Sequence, residues 1–515
     1  MNQSVKLSAG LRASGTKPLV VEGDIARISA LAVFALISYL VLAVMRFQEY
    51  TWIDFDAPII PVIEVTMMAA WFLSPKPPGL AHVLPVVLLG IVYFVASLSV
   101  DTAYSLDVTT NYFLNIGFVY IVLAQVAVDP RRADLVMAAF GSCMAVISLQ
   151  CILMALDPGH MGWTGLQAIE RLDSVPRVWQ VRYIGTMEDP NDLGMTMLAA
   201  LPMLAFLAST SRSRLLQGYF LICLGACIYA IYLLNSRGTV LGLVAMIALI
   251  GLYRVGVAKA VMLGAICLPV AIVLAPSRLG DLTLDRSALD RIDSWYNGLK
   301  MFTSNPLFGV GKDQYLTHHY KVSHNSWIEQ VAEFGIIGYL LWNRIVLGAM
   351  VEVWQLVRAD RRLEAEAAAE QAALPAQSSS NRARRSGALK NRTVALPAPV
   401  DAGLPVIQGA GAPTQPRPVK RLRKSDRLTP EQQLDSKRSM ALFYSIAGVL
   451  VAIFFIDRSD SLITFLVCAL IAGSLTRYRL TRPDVHWLPV SLWVYLGAFI
   501  ALVLVYFAIY TYSFS

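Results

Sequence analysis

Three histidines and four basic residues share one polar stretch between two apolar segments. The stretch, residues 291–335, reads RIDSWYNGLKMFTSNPLFGVGKDQYLTHHYKVSHNSWIEQVAEFG. Its cationic and imidazole side chains are Arg291, Lys300, Lys312, Lys321, His318, His319 and His324. Histidine can act as a general base near neutral pH, and arginine binds phosphate oxygens in a bidentate manner. Long loops with titratable groups often carry chemistry, so we expect the functional site here.

The histidines allow three interpretations. His324 comes immediately before Asn325 and Ser326 at the start of a predicted helix, where it could be a general base or a capping and packing residue. A zinc site formed by all three has less support, because the chain has no HExxH pattern and no carboxylate lies between His318 and His324. We therefore expect no metal or other cofactor, and His324 remains either a general base or a capping and packing residue.

Arginines mark two other segments. The run RYIGTMEDPND at 182–192 predicts a helix start that Asn191 or Asp192 could cap, but capping does not explain Arg182. The run NSRGT at 235–239 places Arg237 in a tight turn between two apolar helices. Arg237 could extend to lipid headgroups, or the turn could hold it in place to bind a phosphate or pyrophosphate.

Glycines form a fourth feature, in the run NPLFGVG at 305–311. This segment is rich in turn-forming residues. Gly309 and Gly311 are expected to let the backbone approach a ligand closely.

The composition places these groups in a membrane protein. The chain of 515 residues is 56% hydrophobic and has a mean hydropathy of +0.56, more than a soluble domain needs. Apolar runs of about 17–25 residues can cross a bilayer. Such spans are predicted at 28–45, 57–73, 81–99, 112–128, 133–156, 193–209, 216–234, 238–253, 257–275, 333–356, 439–456, 461–475 and 487–510. The predicted fold is all-α and polytopic, with about 12–13 transmembrane helices.

Basic residues in the short loops predict the orientation. The loops on one side contain Lys6, Arg12, Lys17, Arg27, Lys76, Arg131, Arg132, Arg212, Arg214, Arg254, Lys259, Arg477, Arg479 and Arg482. The loop at 100–111 has no Lys or Arg, and the loop after the first span has only Arg46. By the positive-inside rule the N-terminus is cytoplasmic, and the loops at 157–192 and 276–332 face outward.

These features predict the domain order. It comprises a cytoplasmic tail at 1–27, spans one to nine at 28–275, a large outer loop at 276–332, span ten at 333–356, a cytoplasmic insert at 357–438 and spans eleven to thirteen at 439–515. The insert has 16 Lys/Arg against 8 Asp/Glu, and this excess equals the net charge of the whole chain, +8. Its composition predicts disorder, either as a basic linker near anionic lipids or as a docking or regulatory segment for other proteins. No nucleic-acid partner is expected, because no aromatic residues alternate with the charges.

The motifs resemble those of the bacterial O-antigen ligase and O-antigen polymerase superfamily. The resemblance is carried by R-x3-W, NPLFGVG and HNSWIEQVAEFGIIG, with SRGTVLGL at 236–243 and RYIGTMEDPNDLG at 182–194. It covers roughly 180–355 and extends to the rest of the chain through the number and order of spans. The insert is longer than the family's usual connection, and if it is a docking segment, the resemblance implies other polysaccharide synthesis or export proteins as its partners.

The resemblance implies an inner-membrane enzyme whose site faces the periplasm and uses a polyprenyl-pyrophosphate-linked glycan. Arg182, Arg237 and Arg291 would hold the pyrophosphate, and His324 would take the proton of the attacking sugar hydroxyl. Asn191 and Asn325 would contribute to substrate binding. Transfer would invert the anomeric carbon and need no metal, and Glu188, Asp189 and Glu333 are candidate partners of these groups.

Three alternatives remain at this point. The acceptor could be a growing glycan, as in a surface-polysaccharide polymerase, which we favour slightly, or lipid A-core, as in a ligase. A flippase for lipid-linked oligosaccharides would show internal repeats and charges within several spans. Here the basic groups concentrate on one outer face, and the charged residues Arg344 and Glu352 in span ten are exceptions. A structural scaffold for export would not require Arg182, Arg237, Arg291 and His324 to converge.

Overall fold

The structure is a computed structural model. It describes residues 27–51, 53, 58–77, 82–171, 178–255, 286–390, 428–482 and 490–513. Most of the predicted N-terminal tail, the predicted span at 257–275 and residues 391–427 of the insert lie outside the described residues. The chain divides into two compact units, Met1–Trp354 with Lys437–Ser515, and Gln355–Ser436.

Helices account for nearly all of the described secondary structure. The first half contains α1 (Ala30–Met45), α2 (Ile59–Phe72), α3 (Val83–Ser97), α4 (Thr102–Tyr112), α5 (Phe118–Val126), α6 (Pro130–Leu156), α7 (Pro190–Thr210), α8 (Arg214–Leu233) and α9 (Arg237–Val255). The second half contains α10 (Arg286–Ser304), α11 (Tyr315–His318), α12 (Ser326–Lys390), α13 (Pro430–Ala452), α14 (Leu462–Thr481) and α15 (Leu492–Ser513). An antiparallel hairpin of β1 (Ile169–Arg171) and β2 (Val178–Gln180) precedes α7.

Seven helices among the described residues are long and apolar enough to cross a membrane. They are Ala30–Glu49, Thr102–Val126, Pro130–Leu156, Pro190–Thr210, Arg214–Leu233, Ser326–Ala369 and Leu462–Thr481. Shorter apolar helices cover Ile59–Phe72, Val83–Ser97, Arg237–Tyr253 and Val494–Leu504. The prediction of an all-α polytopic membrane protein is confirmed.

Short polar caps start several of these helices. The carboxylate of Asp129 accepts a hydrogen bond from the backbone N–H of Arg131, and Pro130 occupies the first turn of α6. Asp189 and Pro190 start α7 in the same way, and Ser461 caps α14. A capping side chain satisfies one of the free N–H groups at a helix start, and proline has no N–H to satisfy there.

Three sequence-based boundaries differ from the structure. The predicted outer loop at 100–111 is mostly α4, which starts where the carboxylate of Asp101 accepts the N–H of Tyr104. The predicted loop at 276–332 contains α10, α11 and the start of α12. In the insert at 357–438, predicted to be disordered, α12 continues through Lys390 and α13 begins at Pro430. The start of the insert is rich in alanine and glutamate. These residues are good helix formers, which accounts for the continuation of α12.

The glycines of NPLFGVG contact another stretch of backbone. Val310 donates its N–H to the carbonyl of Ala332 (3.0 Å), and Gly311 donates to that of Glu333 (2.9 Å). Gly309 has φ +70°, and a Cβ there would lie 2.3 Å from the backbone carbon of Glu333. We expected these glycines to approach a ligand. In the structure they instead let the loop pack closely against α12.

Two charged residues of α12 form an ion pair. Arg344 Nη2 lies 2.7 Å from Glu352 Oε1, and Arg479 of α14 lies 3.3 Å from the other oxygen of the same carboxylate. Because both arginines neutralise one buried carboxylate, these charges have a structural explanation.

Candidate functional site

The starts of α7 and α9 hold the first part of the site. Asp189 is the cap of α7, rather than Asn191 or Asp192, because its Oδ1 accepts the N–H of Asn191 at 2.7 Å. The Ser236 hydroxyl donates to Asn191 Oδ1 (2.5 Å) and accepts the N–H of Thr239 (3.2 Å). Asn191 therefore fixes the turn that begins α9, and Arg237 is the first residue of that helix.

The β-hairpin supports this turn from the other side. Gln180 of β2 donates to the carbonyls of Leu234 (3.1 Å) and Asn235 (2.8 Å). Asn235 adopts a left-handed conformation with φ +51°, which closes the tight connection between α8 and α9. Arg182 lies just beyond the hairpin and donates from Nε to the carbonyl of Gln167 (2.7 Å).

Arg237 and Arg291 are close enough to influence each other electrostatically. Burial lowers the pKa of the Arg291 guanidinium, the Asp189 carboxylate raises it, and the Arg237 charge lowers it again, with a net decrease. The Arg291 guanidinium thus lies within electrostatic reach of both a second guanidinium and a carboxylate. The local excess of positive charge suits a ligand with more than one negative charge, such as a pyrophosphate.

Trp295, one turn after Arg291 on α10, connects this helix to the segment that carries His324. Its indole N–H donates to the carbonyl of Ser323 (2.8 Å), and the hydroxyl of Ser294 donates to that of Val322 (2.9 Å). The R-x3-W spacing therefore places Arg291 on the helix that is hydrogen-bonded to the backbone just before His324.

A short connection at 453–461, between α13 and α14, holds the start of α12. Ser326 donates its N–H to the carbonyl of Ile453 (3.0 Å) and its hydroxyl to that of Ile456 (2.7 Å). The N–H of Arg458 donates back to the Ser326 hydroxyl (2.9 Å). Asn325 is buried and caps α12 by accepting the N–H groups of Trp327 (3.0 Å) and Ile328 (3.2 Å).

His324 is therefore placed beside a carboxylate. Its Nδ1 lies 3.8 Å from Oδ1 of Asp457, and the imidazole is 39% exposed. Burial raises the pKa of Asp457, while His324 and Arg458 lower it, and the net result is an increase. Asp189 also acts electrostatically on Asp457, which connects the histidine to the carboxylate beside Arg291.

The same connection anchors two more ion pairs. Arg458 binds Asp192 through Nε (2.8 Å) and Nη2 (2.5 Å), and Lys312 lies 3.2 Å from Asp460. Burial lowers the pKa of Lys312, but surrounding carboxylates led by Asp460 and Glu333 outweigh it and raise the pKa well above its usual range. Lys312 is therefore a buried structural cation.

The other histidines are separate from His324. His318 is exposed and contacts the carbonyl of Gln314 at 2.9 Å, whereas His319 is buried and lies 3.0 Å from Asp293. Among the described residues, no group of three or more His, Cys, Asp or Glu side chains is arranged to hold a metal ion.

Hydrogen bonds and electrostatic effects that involve Asp189 and Asp457 thus relate four predicted residues to one another. Those four are Arg237, Arg291, His324 and Asn191; Asn325 supports His324 by capping α12, while Arg182 donates to the carbonyl of Gln167. Of the candidate partners, Asp189 lies in the network, Glu333 is near Lys312 (3.8 Å), and Glu188 is exposed.

The connection that contains Asp457, Arg458 and Asp460 was not predicted from the sequence. A usable signal was present, since three charged residues fall within four positions between two apolar runs. A charge cluster at the end of a membrane span seldom occurs without a partner or a function.

Comparison with known families gives one match. Residues 197–343 match the family described as O-Antigen ligase. This region, 147 of the 515 residues, is therefore similar to an O-antigen ligase domain. The matched region includes Arg237, Arg291 and His324, and the superfamily resemblance is confirmed. No curated protein matches the chain. The O-antigen ligase domain and the apolar helices together indicate a multi-pass membrane protein of polysaccharide biosynthesis, with a glycosyltransferase-type activity of the ligase or polymerase kind.

Proposed function

We propose that this protein transfers a glycan from polyprenyl pyrophosphate to a sugar hydroxyl on the periplasmic face of the inner membrane. The observation that supports the proposal is that Arg291 lies within electrostatic reach of both Arg237 and Asp189, while Nδ1 of His324 lies 3.8 Å from Asp457. Two guanidinium groups for a pyrophosphate and a candidate base are the features that glycosyl transfer from a lipid pyrophosphate requires.

The arginines serve the donor. Arg237 and Arg291 bind the pyrophosphate oxygens, and Arg182 binds the donor from the neighbouring hairpin segment. Asn191 positions Arg237 through Ser236, at 2.5 Å. As the leaving group departs, negative charge grows on the bridging oxygen, and guanidinium groups fixed beforehand stabilise it without reorganisation.

His324 serves the acceptor. Its imidazole takes the proton of the acceptor hydroxyl, the hydroxyl oxygen bonds to the anomeric carbon, and the bond from that carbon to the pyrophosphate oxygen breaks. Polyprenyl pyrophosphate leaves with the bonding electrons, so direct displacement inverts the anomeric configuration without a metal. Asp457 orients the imidazole and stabilises its protonated form. Asn325 maintains this arrangement by capping the helix that follows His324.

The acceptor distinguishes a polymerase from a ligase, and we favour the polymerase. The purified protein in liposomes would receive a polyprenyl-pyrophosphate-linked repeat unit as its only substrate, and mass spectrometry would follow glycan length. We expect lengthened lipid-linked glycans from the wild type. Product that forms only after lipid A-core is added would identify a ligase. Movement of the donor across the bilayer without any transfer would contradict the proposed function and favour a flippase.

A further inference from the structure

Ser326 joins the two segments that carry His324 and its carboxylate partner. It is fully buried and comes two residues after His324. Its hydroxyl donates to the carbonyl of Ile456 (2.7 Å) and accepts the N–H of Arg458 (2.9 Å). These two residues come immediately before and after Asp457. One hydroxyl group therefore holds the backbone on both sides of Asp457.

The turn that carries His324 is held together on its own side of this contact. Ser323 donates its hydroxyl to the carbonyl of Asn325 (2.9 Å) and accepts the N–H of the same residue (3.1 Å). The side chain of Asn325 in turn accepts two N–H groups of the first turn of α12. Both residues are buried, where a hydrogen bond is stronger than in water. The backbone at 323–326 is therefore held as one unit that contains His324 and Ser326.

Other contacts hold the connection at 453–461 beyond Asp457. The indole N–H of Trp342 donates to the carbonyl of Ser459 (2.6 Å), and Lys312 lies 3.2 Å from Asp460. Neither contact depends on the serine hydroxyl. Removal of that hydroxyl should therefore leave the connection in place and release the backbone next to Asp457.

We infer that Ser326 is a positioning residue that sets the distance between His324 and Asp457. Nδ1 of His324 lies 3.8 Å from Oδ1 of Asp457, which is longer than a hydrogen bond. A small shift of either residue therefore decides whether the carboxylate stabilises the imidazole as it takes up a proton. The inference rests on the proposed function, because it concerns the placement of the base used there.

The donor arginines are held by contacts that do not involve Ser326. Ser236 fixes the turn of Arg237 by donating its hydroxyl to Asn191 (2.5 Å). Arg291 is part of α10. Loss of the Ser326 hydroxyl should therefore slow the chemical step and leave donor binding unchanged.

Steady-state kinetics of glycan transfer in liposomes would test the inference. We expect Ser326→Ala to lower kcat about tenfold and to leave the KM for the donor unchanged. The double variant Ser326→Ala/Asp457→Asn should be no slower than Asp457→Asn, because Ser326 acts through that carboxylate. Losses that multiply in the double variant, or a raised donor KM with an unchanged kcat, would overturn the inference.

Hydrogen–deuterium exchange gives a second readout, which needs no glycan transfer. In Ser326→Ala the peptide that covers 453–461 should exchange faster than in the wild type, because the N–H of Arg458 loses its acceptor. Ser445→Ala is the matched control, since Ser445 is also fully buried and donates to a backbone carbonyl, that of Ala199 (2.8 Å). We expect this control to change neither exchange at 453–461 nor kcat.

The two readouts separate the two ways in which the account can fail. Equal exchange at 453–461 in Ser326→Ala and the wild type would overturn the positioning role whatever the transfer rates are. A wild type that transfers no glycan, while Ser326→Ala shows faster exchange, would contradict the proposed function and with it the catalytic part of the inference.

Discussion

At the scale of single residues, His324 is held in an unusual backbone conformation. Its φ is +47°, a region that non-glycine residues seldom occupy and that costs about 1–3 kcal/mol. The residues on either side are fixed by hydrogen bonds, from Trp295 to Ser323 and from the helix start to Asn325. Such over-determined strain is common at functional sites, where it fixes the direction of a side chain.

Asp457 supports His324 at a cost in stability. Its pKa is raised above the ordinary 3.8, so the folded state binds a proton more tightly than the unfolded state. The free energy of unfolding therefore falls as the pH rises from below 3.8 through the raised pKa. Above both pKa values the carboxylate is ionised in the folded and the unfolded state, and the loss of stability is complete.

We expect Asp457→Asn to unfold at a higher temperature than the wild type at pH 8, with glycan transfer reduced at least tenfold. The difference in unfolding temperature should narrow as the pH is lowered towards 4, because the wild-type carboxylate then becomes neutral as well. Thermal unfolding across this pH range, together with transfer rates, measures both effects. A variant that is less stable than the wild type at pH 8 would contradict this explanation.

The sequence identified some of these residues and not others for a physical reason. Arg237, Arg291 and His324 stand out locally, since each is a polar group at the edge of an apolar run. Asp457 acts only through a contact with His324, which is far away along the chain. One sequence contains no direct record of such a long-range pairing.

At the scale of elements, the site depends on the kink in α12. Gly335 has φ +62° and ψ −164°, a combination that is essentially restricted to glycine. The kink lets Ile336 donate its N–H to the carbonyl of Pro306 (2.9 Å) and brings NPLFGVG against α12. The glycines predicted a close approach of the backbone, which we expected to be to a ligand. A sequence pattern does not distinguish a ligand from another stretch of the same chain.

Gly335→Ala should destabilise the protein by several kcal/mol. The new Cβ would lie 2.4 Å from the backbone carbon of Leu307, and the backbone strain adds to this contact. Gly497→Ala is the matched control, because a Cβ at Gly497 would meet nothing within 4 Å and alanine favours a helix interior. Thermal unfolding in detergent would measure both; equal unfolding temperatures for Gly335→Ala and the wild type would show that the kink is not required.

At the scale of the whole molecule, the polar network joins the connections 182–189, 234–237, 320–326 and 453–461. In the orientation predicted from the basic residues, all four face the periplasm. The all-α class and most span positions followed from hydropathy, because a bilayer imposes long apolar helices. Hydropathy did not predict the helices within 100–111 and 286–304, because polar amphipathic segments lack a long apolar run.

Labelling of introduced cysteines would test the orientation. Thr317 and Ser213 are both exposed, and the described native cysteines are buried. A membrane-impermeant maleimide should label Thr317→Cys in intact cells and Ser213→Cys only after the inner membrane is opened. The reverse pattern would place the candidate site on the cytoplasmic side and contradict the use of a periplasmic donor.

In the proposed mechanism, His324 is the base for transfer from a polyprenyl-pyrophosphate donor. The most direct measurement is the rate of polyprenyl pyrophosphate release in liposomes by the wild type, His324→Ala and His318→Ala, with the exposed His318 as the matched control. We predict a loss of about 10²–10⁴-fold for His324→Ala and an unchanged rate for His318→Ala. Release by His324→Ala at the wild-type rate would contradict the proposed mechanism.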